Sequence, residues 1–174
     1  MISFEELKLY LPKYLSPESE KSLFEDLKKF PDNQDRIYTA YLKDSENIFQ
    51  GDGLEGLLFV RLPDLKNAKR VNAIVLSNTC DINPENERFY PANLVYCPMV
   101  NLNHYRIKLL ENNLPKEKVN SHIETIRRQY VTSIFYLPGG GKLESESIVF
   151  FDQVASCSLA SIPQKKIKGM RLFT

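Results

Sequence analysis

The spacing of apolar positions changes several times along the chain, and each change marks an element. Phe4, Leu7 and Leu11 recur at helical spacing behind a Ser3/Glu6 capping-box pair until Pro12, which predicts a first helix. Ser16 followed by Pro17 is a second helix start, and Leu23, Phe24, Leu27 and Phe30 form its apolar stripe before Pro31-Asp32-Asn33. Over Arg36 to Leu42 the pattern becomes two-fold, with Ile37, Thr39 and Tyr41 on one face and Tyr38, Ala40 and Leu42 on the other, which predicts a strand. Gly51-Asp52-Gly53 reads as a turn, and Leu57 to Leu62 as a strand ended by Pro63. Two β-rich runs follow, Val71 to Leu76 and Leu94 to Val100. They flank a loop holding Asn83-Pro84, Glu85, Glu87, Arg88 and Tyr90-Pro91, the pattern of two neighbouring strands.

From Leu114-Pro115 to Tyr130 the period is helical again, with Val119, His122, Ile123, Ile126 and Tyr130 sharing a face. The start is open between Pro115 and Ser121, since Ser121 with Glu124 makes another capping box. Thr132 to Leu137 and Ile148 to Leu159 read as strands on either side of a Pro138-Gly139-Gly140-Gly141 turn. Short strands with Gly and Pro turns and few crossover helices predict an α+β chain: a small antiparallel sheet curled into a barrel, with two N-terminal helices and one inserted helix. The length of 174 residues suits one domain. Residues 1–35 are expected to form a helical N-terminal extension, and 36–174 the barrel with its helix near 115–130.

Composition narrows the functional classes. With 23 Lys and Arg against 22 Asp and Glu, no bulk field draws the chain to nucleic acid or a membrane, so any such binding must come from a local patch. The absence of a long apolar run, and an N-terminus without a basic then apolar leader, predict a cytoplasmic protein with no membrane partner. Three widely spaced cysteines, Cys80, Cys97 and Cys157, fit reduced thiols.

The candidate chemistry lies near the two central strands. Ser77-Asn78-Thr79-Cys80-Asp81 falls where the first of them ends, at a sheet rim. Cys80 is a candidate nucleophile, although Asp81 beside it opposes thiolate formation, and packing of the thiol with Asp81 accepting turn hydrogen bonds is the alternative. His104, expected in a polar loop, could assist a phosphate reaction, whereas His122 sits on an apolar helix face and reads as a core residue. No CxxC, HxxxH or close His pair suggests a metal, and no cofactor is implied. Gly139-Gly140-Gly141-Lys142 lacks the Ser or Thr and the following helix of a phosphate loop. Two basic clusters could meet nucleic acid: Arg61, Lys66, Lys69 and Arg70, with Phe89, Tyr90 and Tyr96 as stacking surfaces; and Lys165, Lys166, Lys168 and Arg171.

Gly51-Asp52 before a strand, Lys69-Arg70 after a loop, an apolar strand closing in Ser77-Asn78, and a further strand ending in Pro98-Met99-Val100 resemble the PemK/MazF-like family of SH3-like barrels. The resemblance covers about residues 51–102. It implies a toxin-antitoxin setting, RNA as the ligand, cleavage without a metal, and Arg70 as the residue that positions the scissile phosphate, with a guanidinium suited to paired phosphate oxygens. Family members carry a Thr or Ser where this chain has Pro98, Met99 and Val100, and a Pro where it has Val71, which points to a relative with weak or no catalysis. Ser77 to Ile82 and Tyr136-Leu137-Pro138 also resemble an uncharacterised bacterial group, some of whose members lie near phage-defence genes. Three readings therefore stand: a module that binds RNA or a protein partner, itself compatible with a homodimer, through Arg61, Lys66, Lys69, Arg70, Asp81 and Tyr90; an endoribonuclease using Arg70 and His104; and thiol chemistry at Cys80.

Overall fold

A single odd spacing on the first strand shows how the sheet is built. Leu54 and Leu57, three residues apart, would face opposite sides of a regular strand, yet both are buried in one cluster with Ala73, Val75, Leu94 and Tyr96. Gly56, at φ +78°, provides the extra residue that reconciles them. Strand β1 (Gly53–Arg61) pairs with β2 (Asp64–Val75) through Leu54↔Ala73 and then Leu57↔Val71, a bulge of one residue. The computed structural model describes residues 16–29, 37–61, 63–163 and 166–174, so the helix expected at Ser3 to Leu11 lies outside the described residues. The chain divides into two compact units, Met1–Ile37 and Tyr38–Thr174.

In the first unit, α1 (Pro17–Lys29) begins as the sequence expects: the Ser16 hydroxyl accepts from the Ser19 backbone N–H at 3.2 Å, and Glu18 and Glu20 lie at the electropositive end.

The second unit is mixed α and β around a seven-stranded antiparallel sheet of order β4-β5-β3-β2-β1-β7, with β6 also on β3. The central strand β3 (Asn93–Asn101) pairs with β2 along one edge. Along the other it pairs with β5 (Ser147–Phe150) at its C-terminal end and β6 (Ala155–Ser158) at its N-terminal end. The strand expected over Ile148 to Leu159 is thus two strands, broken at residues 151–154. The break has a partner, since the buried Cys97 thiol donates to the Phe150 carbonyl at 2.9 Å and also lies 3.4 Å from the Gln153 carbonyl. A 3-10 turn (Leu159–Ser161) and helix α5 (Ile167–Met170) then lead to β7 (Arg171–Phe173), which returns to β1. Among the described residues no ladder joins β6 to β7, so the sheet is open at that seam.

The single helix expected near 115–130 is one of a pair. Helix α3 (Leu102–Glu111) starts at Asn101, whose side chain accepts from the His104 N–H at 2.9 Å, and α4 (Lys116–Arg127) starts directly after Pro115. Between them Asn113, at φ +61°, takes the left-handed conformation that ends a helix. The pair packs Leu102, Val119, Ile123 and Ile126 on Ile134, Tyr136 and Ile148 of the sheet, whereas Tyr130 is exposed. An ion-pair network fixes the join. Arg127 donates to both carboxylate oxygens of Glu146 at 2.8 and 2.7 Å, and the Tyr136 phenol donates to the same carboxylate at 2.6 Å. The outer edge of β4 (Ile134–Leu137) is closed by one side chain: the Gln129 amide donates to the Tyr136 carbonyl and accepts from the Tyr136 N–H.

Where a strand is expected over residues 36–42, the described part, 37–42, is bends and turns. Two tertiary contacts override the alternation. The Tyr38 ring lies on Phe173, with its hydroxyl donating to the Pro138 carbonyl, and the Leu42 carbonyl accepts from Arg171.

Candidate nucleic-acid interface

The β1–β2 hairpin carries the basic residues, and the two-residue period of a strand decides which act together. Paired residues share a face, so Phe59 and Lys69 lie on one side of the hairpin, Leu58 and Arg70 on the other. Lys69 and Arg70, adjacent in sequence, therefore serve different grooves.

On the Phe59 side is a groove of about 650 Å³ lined by Arg61, Lys66, Asn67, Ala68 and Lys69, with the exposed Pro63 and the buried Phe59 as its apolar residues and Gln153 contributed by the break between β5 and β6. Among the described side chains, three cations and no carboxylate or histidine line it. In a chain of net charge +1 that is a local concentration of positive charge rather than a general field.

On the Arg70 side is a groove of about 760 Å³, where Arg70 and Asn72 of β2 and Glu55 and Gly56 of the bulge meet Ser161, Pro163, Lys166 and Met170. Arg70 is anchored there, its Nη1 donating to the Gly56 carbonyl at 2.8 Å, which leaves further guanidinium donors for a ligand. A neighbouring hollow of about 490 Å³ shares Glu55, Val71 and Asn72 and adds Asn101, Lys142, Glu144 and Ser145. This face carries both signs of charge.

The remaining candidates lie elsewhere. Antiparallel pairing sets Val75 against Tyr96 and Ala73 against Pro98, so β3 runs toward Asn101 at the Arg70 end of β2, while Cys80 and Asp81 follow its other end. His104 is exposed in the first turn of α3, a helix where a loop was expected, and lines neither groove. The polar stretch at the strand end is used for local structure. The Ser77 hydroxyl accepts from the Val95 N–H at 2.7 Å, Asn78 caps helix α2 (Thr79–Ile82) through the Cys80 N–H at 2.8 Å, and the Thr79 hydroxyl accepts from the Gln50 N–H at 3.0 Å. Cys80 and Asp81 remain exposed, with the Cys80 carbonyl bonded by Arg88 and Asn86.

Tyr96 is no stacking surface. It is buried, its hydroxyl donates to the Leu58 carbonyl, and burial pushes its pKa up to about 12. Phe89 and Tyr90 are exposed. His122 is half-buried with a ring nitrogen 3.1 Å from the Tyr105 hydroxyl.

The second basic cluster is dispersed. Lys166 lines the Arg70 groove, Lys168 pairs with Asp44 at 2.8 Å, and Arg171 is buried; Lys165 lies outside the described residues. Lys166, expected in the second basic cluster, instead joins Arg70 of the first, and Gln153 and Glu55 are groove residues that the sequence reading does not name. Only the Glu55 position carries a local signal, its place beside a strand glycine.

Among the described residues no group of three or more His, Cys, Asp and Glu side chains could hold a metal ion, and no helix is long and apolar enough to cross a membrane. The chain matches no protein-family model, no curated protein and no solved structure.

Proposed function

We propose that this chain is a single-stranded RNA-binding module on an SH3-like arrangement of the PemK/MazF-like kind, working in a bacterial toxin-antitoxin or phage-defence setting with little or no catalysis. The observation that carries the reading is the Arg61–Lys66–Lys69 groove, with three cations, the exposed Pro63 and, among the described side chains of its wall, no carboxylate. Phosphates seek converging cations, and single strands add contacts to apolar and amide surface, here Pro63, Asn67 and Gln153. Among the described side chains of the groove none is suited to moving a proton, which favours binding over cleavage. The return of the last strand, β7, to the first, β1, supports a curled, barrel-like arrangement, with the seam between β6 and β7 open among the described residues.

The test is binding of a fluorescent single-stranded RNA across a salt series. Each phosphate contact contributes about 0.7 to the slope of log K against log salt on single strands, so Ala at Arg61, Lys66 and Lys69 together should lower the slope by about 2. An unchanged slope overturns the reading.

One observation favours a second reading, metal-independent RNA cleavage: the Glu55 carboxylate and the Arg70 guanidinium line a single groove, a base and a phosphate binder on one wall. RNA cut in the presence of EDTA, with activity lost in both Arg70→Ala and Glu55→Gln, would establish it; uncut RNA that remains bound supports the module.

A further inference from the structure

The loop between α2 and β3 is the second strongly charged surface, and its sign is opposite to that of the groove. With Asp81 of α2 just before it, the loop exposes Glu85 and Glu87, and none of the three is in an ion pair among the described residues. It then presents Phe89 and Tyr90 at 103% and 83% exposure. The single cation of the loop is turned onto its own backbone: Arg88 donates to the carbonyls of Asn83 at 2.8 Å, Asn86 at 3.1 Å and Cys80 at 2.8 Å. Those bonds hold the loop in shape while two neighbouring aromatic rings stay in water, an arrangement that suits a docking surface. Nucleic acid is a poor occupant, because its phosphates would meet three carboxylates.

We propose that this loop docks in the Arg61–Lys66–Lys69 groove of a second copy of this chain. The chemistry matches on both counts. Three carboxylates face three cations, and the Phe89 and Tyr90 rings meet the exposed Pro63 in a space of about 650 Å³. Each copy carries both halves of the contact, so two copies can make it twice about a two-fold axis, or successive copies can make it head to tail. The consequence for function rests on the RNA reading above: self-docking and RNA use the same cations and exclude one another, so the assembled form is closed to RNA.

The contact itself is tested without RNA, by sedimentation of the full chain at low and high salt. Wild type should associate at low salt and less so at high salt, as screening weakens exposed charges. The Lys66→Glu/Lys69→Glu chain and the Glu85→Lys/Glu87→Lys chain should each associate about tenfold or more weakly alone, since like charges then face each other in each. Mixing the two should restore association, because each reversed loop then meets a groove of opposite sign. A Phe89→Ser/Tyr90→Ser chain, altered only at exposed positions, should dissociate with its circular dichroism unchanged. Wild type monomeric at every concentration and salt, or a mixture no more associated than its parts, overturns the proposal. RNA binding separates the two ideas. The Glu85→Lys/Glu87→Lys chain should still bind RNA, and loss of RNA binding in no groove variant would remove the RNA reading while leaving the charge-swap result standing.

Discussion

Arg171 offers the sharpest test of what holds the second unit together. It is 3% exposed and faces Asp52, which is 0% exposed, with Nε and Nη2 at 3.2 and 3.1 Å from Asp52 Oδ2. Its remaining donors gather the turns before β1: Nη1 reaches the carbonyls of Leu42, Lys43 and Ser45 at 3.0, 3.3 and 2.7 Å, and Nη2 that of Asn47. Replacing Arg171 by Met removes one partner of a buried pair, which costs about 3–5 kcal/mol. That is a large part of the 5–15 kcal/mol typical of a domain. If the ion pair were all that mattered, replacing both partners with apolar residues would bring stability back, because a buried pair is roughly matched by good packing. The carbonyls argue otherwise. Arg171→Met/Asp52→Leu still leaves four of them without their donor, and the Phe49 N–H without the Asp52 oxygen it reaches at 3.0 Å. An unsatisfied buried group costs about 1–3 kcal/mol, less where water can enter, so the double variant should remain at least about 2 kcal/mol below wild type. Urea unfolding followed by circular dichroism and by tyrosine emission, in a chain with nine Tyr and no Trp, measures this. A double variant within about 0.5 kcal/mol of wild type, inside the ordinary scatter of surface substitutions, would refute the carbonyl argument.

Other outcomes follow from named contacts. The hydrogen bonds from Arg127 hold the Glu146 carboxyl below the usual carboxylate range, against the opposing effect of burial. Its folded pKa is thus depressed, so its contribution is present above the unfolded value of about 4.3 and is lost as pH falls through the folded one. Glu146→Gln should flatten the acid limb of a stability–pH curve, and an unchanged limb would count against it. Cys97 is buried, and burial pushes its thiol pKa up to about 11, so a thiol reagent at pH 8 should label exposed Cys80 well before Cys97; mass spectrometry that finds Cys97 labelled equally fast contradicts the structure. Gly141→Ala should cost about 1–3 kcal/mol, since φ is +59° and a Cβ would come 2.5 Å from the Leu172 carbonyl oxygen. A thermal melt that is unmoved would show that the turn is not seated on β7.

Local pattern and tertiary arrangement divide between what sequence can reveal and what it cannot. Residues 57–61, 71–75 and 94–100 of the expected runs lie in β1, β2 and β3. On β1 burial alternates, with Leu57 and Phe59 buried and Leu58 exposed, whereas Ala73, Ile74 and Val75 and then Tyr96, Cys97 and Pro98 are buried in succession, so there the apolar β-rich composition is the signal. Helix α3 went unread although Leu102, Tyr105 and Leu109 keep helical spacing and Asn101 is a cap residue; the polar positions between them suggested a loop. The turns at 37–42 imitate a strand in their alternation and are set instead by contacts with residues 100 and 129 positions away. For the candidate interface, the Arg61, Lys66 and Lys69 grouping was visible as a cluster. The separation of Arg70 from Lys69 followed from alternation and needed only the strand to be taken literally. Gln153 and Lys166 reach the grooves through long-range folding, which no local pattern encodes.

The left-handed Gly56 has a consequence for what insertions and deletions would do. Glu55 and Gly56 together stand opposite the single residue Asn72, so the step absorbs one residue and Leu57 still meets Val71. Losing one residue there would leave Leu54 and Leu57 two apart, the spacing by which a regular strand keeps both on the buried side, with Phe59 still opposite Lys69 and Leu58 opposite Arg70. A residue added between Leu57 and Phe59, where the pairing is already regular, would instead carry Phe59 across to the Arg70 side. A longer insertion at the tip beside Pro63, beyond the last paired residues, would leave both faces as they are.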